Sequence, residues 1–233
     1  MIELEAVLTV PRVAKKLARE RFLPGAKPQM DMMASFIRHG LTEEELAGES
    51  LLQVVAGSDT TSATIRMVML NLMISPPYYQ KLQTEIDSAI AAGKVSSPVQ
   101  DSEAKRLPYL QAVIKEGLRV NPPASGIASK QVPRGGDVIN GIFVPGGTQI
   151  GSSCYGMHHS KKIFGEDSDT FRPERWLEAE GDRLSEMTST VDLVFHYGKT
   201  QCLGKQVALT ELNKIFVEAS ALFCCIDLLI NLH

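Results

Sequence analysis

The feature that most constrains this sequence is a long proline-free run at residues 43–74. Thr42 precedes the run and Glu45 follows three residues later, which is the pattern of a capping box at a helix start. Pro76 and Pro77 close the run. We therefore predict one helix of about 30 residues, roughly 45 Å long at 1.5 Å per residue. Its apolar surface is formed by Leu46, Leu51, Val54, Val55, Ile65, Val68, Met69 and Leu72.

Two shorter helices are predicted after the long one. The first runs from about residue 77 to residue 92 and ends at Gly93. The second runs from residue 108 to about residue 119 and begins with proline in its first turn. The N-terminal part of the chain is mixed and basic, and its prolines and glycine argue against a long helix there.

The sequence pattern of the second half of the chain differs from that of the first half. Residues 127–156 contain short β-type runs separated by glycines, and the Asn-Gly pair at positions 140 and 141 is a hairpin signal. Residues 164–194 are polar and predicted to be irregular, and a final helix is predicted from about residue 203 to residue 223. The fold class is therefore mainly α with a small β-sheet.

Composition excludes several classes of protein. With 44% hydrophobic residues and a formal charge of -3, the chain is typical of a globular protein without a basic face for nucleic acid. No stretch reaches the roughly 18 apolar residues of a membrane span, so we expect the chain as given to be soluble. The spacing of the cysteines does not favour a structural metal site. The histidines are predicted to be surface or loop residues: His39, His158, His159, His196 and His233.

Cys202 is the first residue with a candidate chemical role. It lies in residues 195–204 (FHYGKTQCLG), where Gly198 and Gly204 allow a large flat ligand to approach closely. A predicted helix follows, and its N–H groups and dipole would stabilise a thiolate. Such a thiolate suits haem iron as an axial ligand for cleaving the O–O bond. A structural cysteine at a helix start is the alternative.

A second candidate lies in the middle of the long helix, at residues 56–61 (AGSDTT). Gly57, Asp59 and Thr60 are poor helix-interior residues, and such local departures tend to mark functional sites. A threonine that bonds back to a carbonyl one turn earlier loosens the helix, which would open a groove for water or oxygen beside an Asp59–Thr60 proton relay. The alternative is a kink or a break into two shorter helices.

A third candidate is the pair Glu116 and Arg119, which share a helix face. An exposed pair of this spacing contributes only about 0.2–0.5 kcal/mol, and a buried pair needs further partners. Arg175, within residues 171–176 (FRPERW), would bring a second guanidinium to Glu116, and the planar fork of arginine suits such a network.

Together these segments resemble the second half of a cytochrome P450 of the filamentous-fungal type. Residues 56–61 match the (A/G)GxDT oxygen-groove motif, and Glu116 with Arg119 matches the ExxR motif. Residues 171–176 match the segment that supplies the second arginine, and residues 195–204 resemble the FxxGxxxCxG haem loop. The resemblance covers residues 31 to about 216 and implies a place in fungal secondary metabolism.

The resemblance implies an oxidoreductase that uses haem b. Such a monooxygenase inserts one oxygen atom of O2 into an organic substrate, with electrons from NADPH delivered by a cytochrome P450 reductase-type donor. By this resemblance Cys202 is the iron ligand, Asp59 and Thr60 are catalytic, and Glu116, Arg119 and Arg175 brace the haem loop. Lys130 and Lys199 would contact the propionates. The full implied set of haem contacts is Cys202, Phe195, Gly198, Lys199, Gly204, Lys130, Ala56 and Gly57.

The resemblance also implies a partial domain, shortened at the N-terminus and at the C-terminus. The family implies the cytoplasmic face of the endoplasmic reticulum membrane, reached through an N-terminal anchor that this sequence lacks. We expect one partial domain over residues 1–233: an irregular lead-in (1–40), the long central helix (41–75), helices (76–126), a small sheet (127–156), a meander and Cys-loop (157–204), and a final helix with a tail (205–233).

The sequence leaves two alternatives to an active monooxygenase. One is a truncated, catalytically inactive fragment that binds haem. The other is a helical interaction protein without a cofactor. Haem titration separates the second alternative from the rest, and turnover with a reductase separates the first from an active enzyme.

Overall fold

The structure is a computed structural model that describes residues 2–27 and 29–222. The described chain is mainly helical with a minor β part, which confirms the predicted fold class. It divides into two compact units, Met1–Thr60 and Thr61–His233. The helices are α1 (Ile2–Phe22), α2 (Met32–Arg38), α3 (Glu43–Met73), α4 (Pro76–Ala91), α5 (Asp101–Ala104), α6 (Pro108–Val120), α7 (Cys154–His158), α8 (Lys161–Phe164), α9 (Arg175–Glu178), α10 (Gly181–Asp192) and α11 (Lys205–Leu222).

The expectation of an irregular lead-in over residues 1–40 is wrong, because α1 and α2 occupy most of it. Ala14 and Ala18 are buried one helical turn apart, so α1 has an apolar stripe that the mixed composition concealed. Pro11 lies inside α1 without ending it, and Gly25, at φ 81°, follows its end. A small core of this unit consists of Ala18, Leu46 and Ala47, with Met33, Phe36 and Ile37 packed against it.

The long predicted helix is confirmed as α3. Its start carries the predicted capping box: the Thr42 N–H donates to the Glu45 carboxylate at 2.8 Å, and the Glu45 N–H donates to Thr42 Oγ1 at 3.3 Å. The helix continues through residues 56–61, so the alternative of two shorter helices is wrong. The Thr60 hydroxyl donates to the Ala56 carbonyl at 2.8 Å, which satisfies the hydroxyl without interrupting the helix.

The second unit is built around α6, where nine residues are buried. The two helices predicted near residues 77–92 and 108–119 are confirmed as α4 and α6. Glu85 of α4 caps α6, because its carboxylate accepts from the N–H groups of Tyr109 at 2.8 Å and Leu110 at 2.9 Å. This unit's core also includes Leu82, Ile86, Leu110, Val113, Phe164, Trp176, Met187, Leu212 and Phe216.

The β part consists of two separate antiparallel pairs where a single small sheet was predicted. Strand β1 (Ile127–Gln131) pairs with β4 (Gln149–Ser153), and β2 (Asp137–Ile139) pairs with β3 (Ile142–Val144). The predicted hairpin is confirmed between β2 and β3. Asn140 at φ 51° and Gly141 at φ 80° both adopt the left-handed backbone that a tight two-residue hairpin loop requires.

Residues 164–194, predicted to be irregular, contain α9 and α10. Met187, Thr190 and Val191 of α10 are buried at helical spacing, but the polar outer face of this helix conceals that pattern. The final helix is confirmed as α11, although it begins at Lys205 rather than residue 203. The tail from residue 223 onward, with Cys224, Cys225 and His233, lies outside the described residues. In the part of the chain that is described, no helix is both long enough and apolar enough to cross a membrane.

Candidate functional site

The Glu116 carboxylate is the centre of a buried hydrogen-bond cluster in the second unit. Its Oε1 accepts from Arg119 Nη2 at 2.8 Å, Arg175 Nε at 3.0 Å and the Arg172 backbone N–H at 2.8 Å. Its Oε2 accepts from Arg119 Nε and Trp176 Nε1, both at 2.9 Å. The structure thus brings together the three charged residues that the sequence singled out. The donors from Trp176 and the Arg172 backbone were not foreseen.

Arg119 is fully buried, and each of its five N–H groups has an acceptor. Two donate to Glu116, as described above. The others donate to backbone carbonyls: Nη1 to His158 at 2.8 Å and Ser168 at 2.5 Å, and Nη2 to Thr170 at 3.0 Å. A buried guanidinium that uses every donor is held in one position, and it holds the three carbonyls in turn.

Arg175 is also buried and uses all of its donors. Besides Glu116, it donates from Nη1 to the Phe164 carbonyl at 2.7 Å and to Asp167 Oδ1 at 3.1 Å. Its Nη2 donates to the carbonyls of Asp167 at 3.0 Å and Thr170 at 3.1 Å. Burial tends to raise the pKa of the Asp167 carboxyl, but hydrogen bonds from Arg172 and Arg175 outweigh it and hold that pKa below its usual value.

The cluster of Glu116, Arg119 and Arg175, here called the buried clamp, joins α6 to residues 158–176. Two buried guanidinium charges face the carboxylates of Glu116 and Asp167. Desolvating these charges is costly, and the arrangement is tolerable only because every donor is satisfied. The clamp therefore fixes the path of an irregular segment that has little regular structure of its own.

Cys202 lies in a loop that is closed by a backbone hydrogen bond. The Cys202 N–H donates to the Phe195 carbonyl at 2.8 Å. Between them, His196 at φ 59° and Gly198 at φ 68° adopt left-handed conformations that turn the chain back on itself. The Cys202 side chain is exposed, whereas Cys154 is buried and burial raises the pKa of its thiol. Of these two cysteines, Cys202 is the one placed to bind a ligand.

Neighbouring elements hold this loop from two sides. Lys130 of β1 donates from its ammonium to the Tyr197 carbonyl at 3.1 Å. Phe195 is buried, and the Lys205 ammonium lies 5.2 Å from the centre of its ring. Lys205 also pairs with Asp192 at 3.1 Å. Lys199, the other predicted propionate contact, is exposed.

The residues of the loop fit a large apolar cofactor that is bound through sulfur. A Cβ added at Gly198 would meet no atom within 4 Å, and one added at Gly204 would meet only Cys202 Sγ, at 3.8 Å. Near the cysteine in sequence, Tyr197, Leu203 and Val207 are 75%, 74% and 61% exposed. An accessible soft sulfur donor beside exposed apolar side chains matches the chemistry of haem-thiolate ligation.

The predicted oxygen-groove residues lie on α3. Ala56, Gly57 and Asp59 are exposed, and Thr60 is half-buried with its hydroxyl bonded to the Ala56 carbonyl. They belong to the unit Met1–Thr60, whereas the buried clamp and Cys202 belong to the unit Thr61–His233. A Cβ added at Gly57 would meet no atom within 4 Å, so this face of α3 is open at that point.

The prediction that His158 is a surface or loop residue is wrong. His158 is the last residue of α7 and is fully buried. Its ring Nε2 lies 3.1 Å from the Thr190 carbonyl, and its own carbonyl accepts from Arg119. No metal-type spacing marked it, and its burial depends on the helix α10 that the sequence did not reveal.

Comparison with known proteins finds a matching family model and similar proteins of the same family. The family model described as Cytochrome P450 matches residues 12–219. The cytochrome P450 monooxygenase ABA1 of Pyricularia oryzae is 48% identical over 205 residues, covering 88% of this chain and 40% of that protein. The cytochrome P450 monooxygenase aba1 of Botryotinia fuckeliana is 46% identical over 206 residues, with the same two shares. The chain thus spans about 40% of the length of these curated relatives.

Proposed function

This chain belongs to the cytochrome P450 family, and we propose that it is the haem-thiolate part of a monooxygenase that inserts one oxygen atom of O2 into an organic substrate. The observation that carries the proposal is the exposed Cys202 thiol, held in a hydrogen-bonded loop. When bound, haem b would supply the activation of O2, with electrons from NADPH through a reductase-type donor.

In this proposal Cys202 would hold the haem iron through its sulfur, and its loop serves to keep that sulfur in place. The bond between the Cys202 N–H and the Phe195 carbonyl fixes the backbone of the ligand residue. Lys130 anchors the same loop through the Tyr197 carbonyl. Lys199 is exposed and carries the positive charge that would meet a propionate. Gly198 and Gly204 keep the approach to the sulfur free of side chains.

Glu116, Arg119 and Arg175 act as positioning residues in the proposal, and none of them is a chemical catalyst. They secure the carbonyls of His158, Phe164 and Thr170 along the segment that leads into the Cys202 loop. Apart from the short helix α8, this segment has little regular hydrogen bonding, so it needs such external partners to keep one conformation. The clamp is thus proposed to lower the conformational freedom of the ligand residue.

Asp59 and Thr60 are proposed to deliver protons. The Thr60 hydroxyl donates to the Ala56 carbonyl at 2.8 Å, and a hydroxyl group can both donate and accept hydrogen bonds. The Asp59 carboxyl, on the exposed face of α3, is the proposed source of that proton. Ala56 and Gly57 are exposed and carry no bulky side chains, and they are proposed as haem contacts only through their match to the family motif.

The remaining features of the proposal follow from the family. The substrate is proposed to be a small organic molecule, and the electron donor a cytochrome P450 reductase-type protein. Residues 1–233 are proposed to form a single partial domain of a protein that works at the endoplasmic reticulum membrane. The proposal includes no role for nucleic acid.

The test is incorporation of labelled oxygen. The full chain, supplied with haem, NADPH and a reductase, would be screened under 18O2 against a panel of small apolar organic compounds. We expect a product that carries one 18O atom, lost in Cys202→Ala and kept in the matched variant Cys154→Ala. Thr60→Ala is expected to consume NADPH but to divert more of it to peroxide. Haem uptake without any labelled product would reject the monooxygenase activity of this chain and leave a haem-binding fragment.

A further inference from the structure

His158 is the one fully buried histidine among the described residues, and the chemistry proposed above does not use it. It connects two parts of the second unit. Its ring Nε2 is 3.1 Å from the Thr190 carbonyl of α10, and its backbone carbonyl accepts from Arg119 of the buried clamp. A single residue therefore joins α10 to the clamp, once through its side chain and once through its backbone.

The hydrogen bond to Thr190 determines which form of the ring is present. A carbonyl oxygen can only accept, so Nε2 must carry the proton in this bond. Nδ1 is then the unprotonated nitrogen of a neutral imidazole. It is buried and has no hydrogen-bond partner within the described residues. A second proton on this ring would produce a buried N–H without an acceptor, which is an unfavourable state.

The charged surroundings also oppose protonation. From α6, the fully buried Arg119 guanidinium faces His158, and its carboxylate partner is Glu116. At its own helix end, the adjacent His159 is half-buried and stacks on Tyr155 with a ring-centre distance of 4.1 Å.

Among the described residues, the other elements packed against α7 place no buried carboxylate where it could neutralise a protonated His158. Strand β4 (Gln149–Ser153) carries no titratable side chain. Arg119 donates to the Ser168 carbonyl as well as to the His158 carbonyl. Of the two aspartates next to Ser168, Asp167 is hydrogen-bonded to arginines and Asp169 is exposed. The charged residues of α10 are all exposed: Asp182, Arg183, Glu186 and Asp192.

We propose that His158 is an acid-sensitive latch, whose neutral imidazole fastens α10 to the buried clamp and whose protonation releases it. The latch is a property of the chain itself and does not depend on haem or on turnover. Release would free the carbonyl of Thr190 and disturb the His158 carbonyl that Arg119 holds. Acid would therefore loosen the segment that leads to Cys202 before it affects the rest of the core.

The direction of the pH effect follows from the buried position. Burial, reinforced by the Arg119 charge, lowers the pKa of His158 below its ordinary value of 6.5, and the bond to Thr190 opposes this only in part. The unfolded chain therefore takes up the proton first as the pH falls. Stability from the latch is complete above the ordinary pKa and is lost progressively below it.

The experiment compares His158→Gln with its neighbour His159→Gln in the full chain without haem. A glutamine amide can still donate to the Thr190 carbonyl but cannot titrate in this range. Unfolding temperatures would be measured from about pH 8 to about pH 5, where an unperturbed histidine changes charge. We expect the wild type and His159→Gln to lose unfolding temperature on acidification, and His158→Gln to lose clearly less.

A second measurement keeps the proposal testable even if His158→Gln does not fold. Nitrogen NMR of the histidine rings in the wild-type chain would follow each imidazole over the same pH range. We expect His158 to remain in the neutral Nε2–H form when the pH falls below 6.5, the ordinary pKa of histidine. Protonation of the His158 ring in the native fold at the ordinary histidine pKa of 6.5, or equal acid losses in the two glutamine variants, would overturn the latch. Neither readout involves haem, so failure of the proposed oxygenation would leave this result unaffected.

Discussion

Single residues determine the chemistry of this chain, and Glu116 is the clearest case. Its spacing from Arg119 predicted a shared helix face, and the motif in residues 171–176 predicted the approach of Arg175. The contacts from Trp176 and from the Arg172 backbone span 60 and 56 residues of sequence, and they arise where residues 172–176 pack against α6. No local pattern encodes such contacts, which is why the sequence predicted the charged members of the cluster but not its full set of donors.

Glu116→Gln tests the clamp at the residue scale. The substitution removes the charge that balances two buried guanidinium groups, so we expect a loss of about 3–5 kcal/mol in the free energy of unfolding. Urea unfolding measures it. The matched control is Glu166→Gln, whose carboxylate pairs with Lys161 on an exposed surface and should have little effect, because water already solvates both groups. Equal effects of the two substitutions would contradict a structural role for the buried charge.

At the scale of elements, the sequence predicted the helices with strong signals and missed those without them. The proline-free run, the capping box and the proline stops gave α3, α4 and α6 within two residues of their observed ends. The missed elements include α1 and α10, whose apolar faces lie among polar residues, and α2, which has only 7 residues. Their stability depends on burial against neighbours, which periodicity in a short window represents poorly.

Helices α3 and α6 are in close contact at Gly117, which the sequence did not predict. A Cβ added at Gly117 of α6 would lie 2.1 Å from Val68 Cγ2 of α3, so only glycine fits there. Beyond this contact, Asn71 Nδ2 donates to Asn121 Oδ1 at 3.0 Å and joins α3 to the residue that follows α6. The absence of a side chain at Gly117 thus sets the distance between the two helices.

Gly117→Ala is expected to lower the free energy of unfolding by about 1–3 kcal/mol through overpacking. Val68→Ala introduced into the same chain should recover part of that loss, because it removes the methyl group that the new Cβ would meet. A double-mutant cycle in urea measures both effects. Gly48→Ala, on α3 with no atom within 4 Å of the added Cβ, is the control and should gain about 0.5–1 kcal/mol. A stabilising Gly117→Ala would show that the helices are not in direct contact.

At the scale of the whole molecule, the order of the motifs carried more information than any one of them. Each motif alone allowed a purely structural explanation. Their succession along the chain predicted the family, which the match over residues 12–219 confirms. Residues 56–60 of the motif on α3 belong to one compact unit and Cys202 belongs to the other. The spacing of these residues in the sequence does not predict how far apart they lie in space.

The most direct test of the central claim is the difference spectrum of the reduced, haem-supplemented chain with carbon monoxide. A thiolate ligand shifts the main absorption band of this complex strongly to the red, and histidine or a neutral thiol does not. We predict the red-shifted band for the wild type and for Cys154→Ala, and its loss in Cys202→Ala. Haem uptake with an unshifted band, or a red-shifted band that survives in Cys202→Ala, would contradict the assignment of Cys202 as the iron ligand.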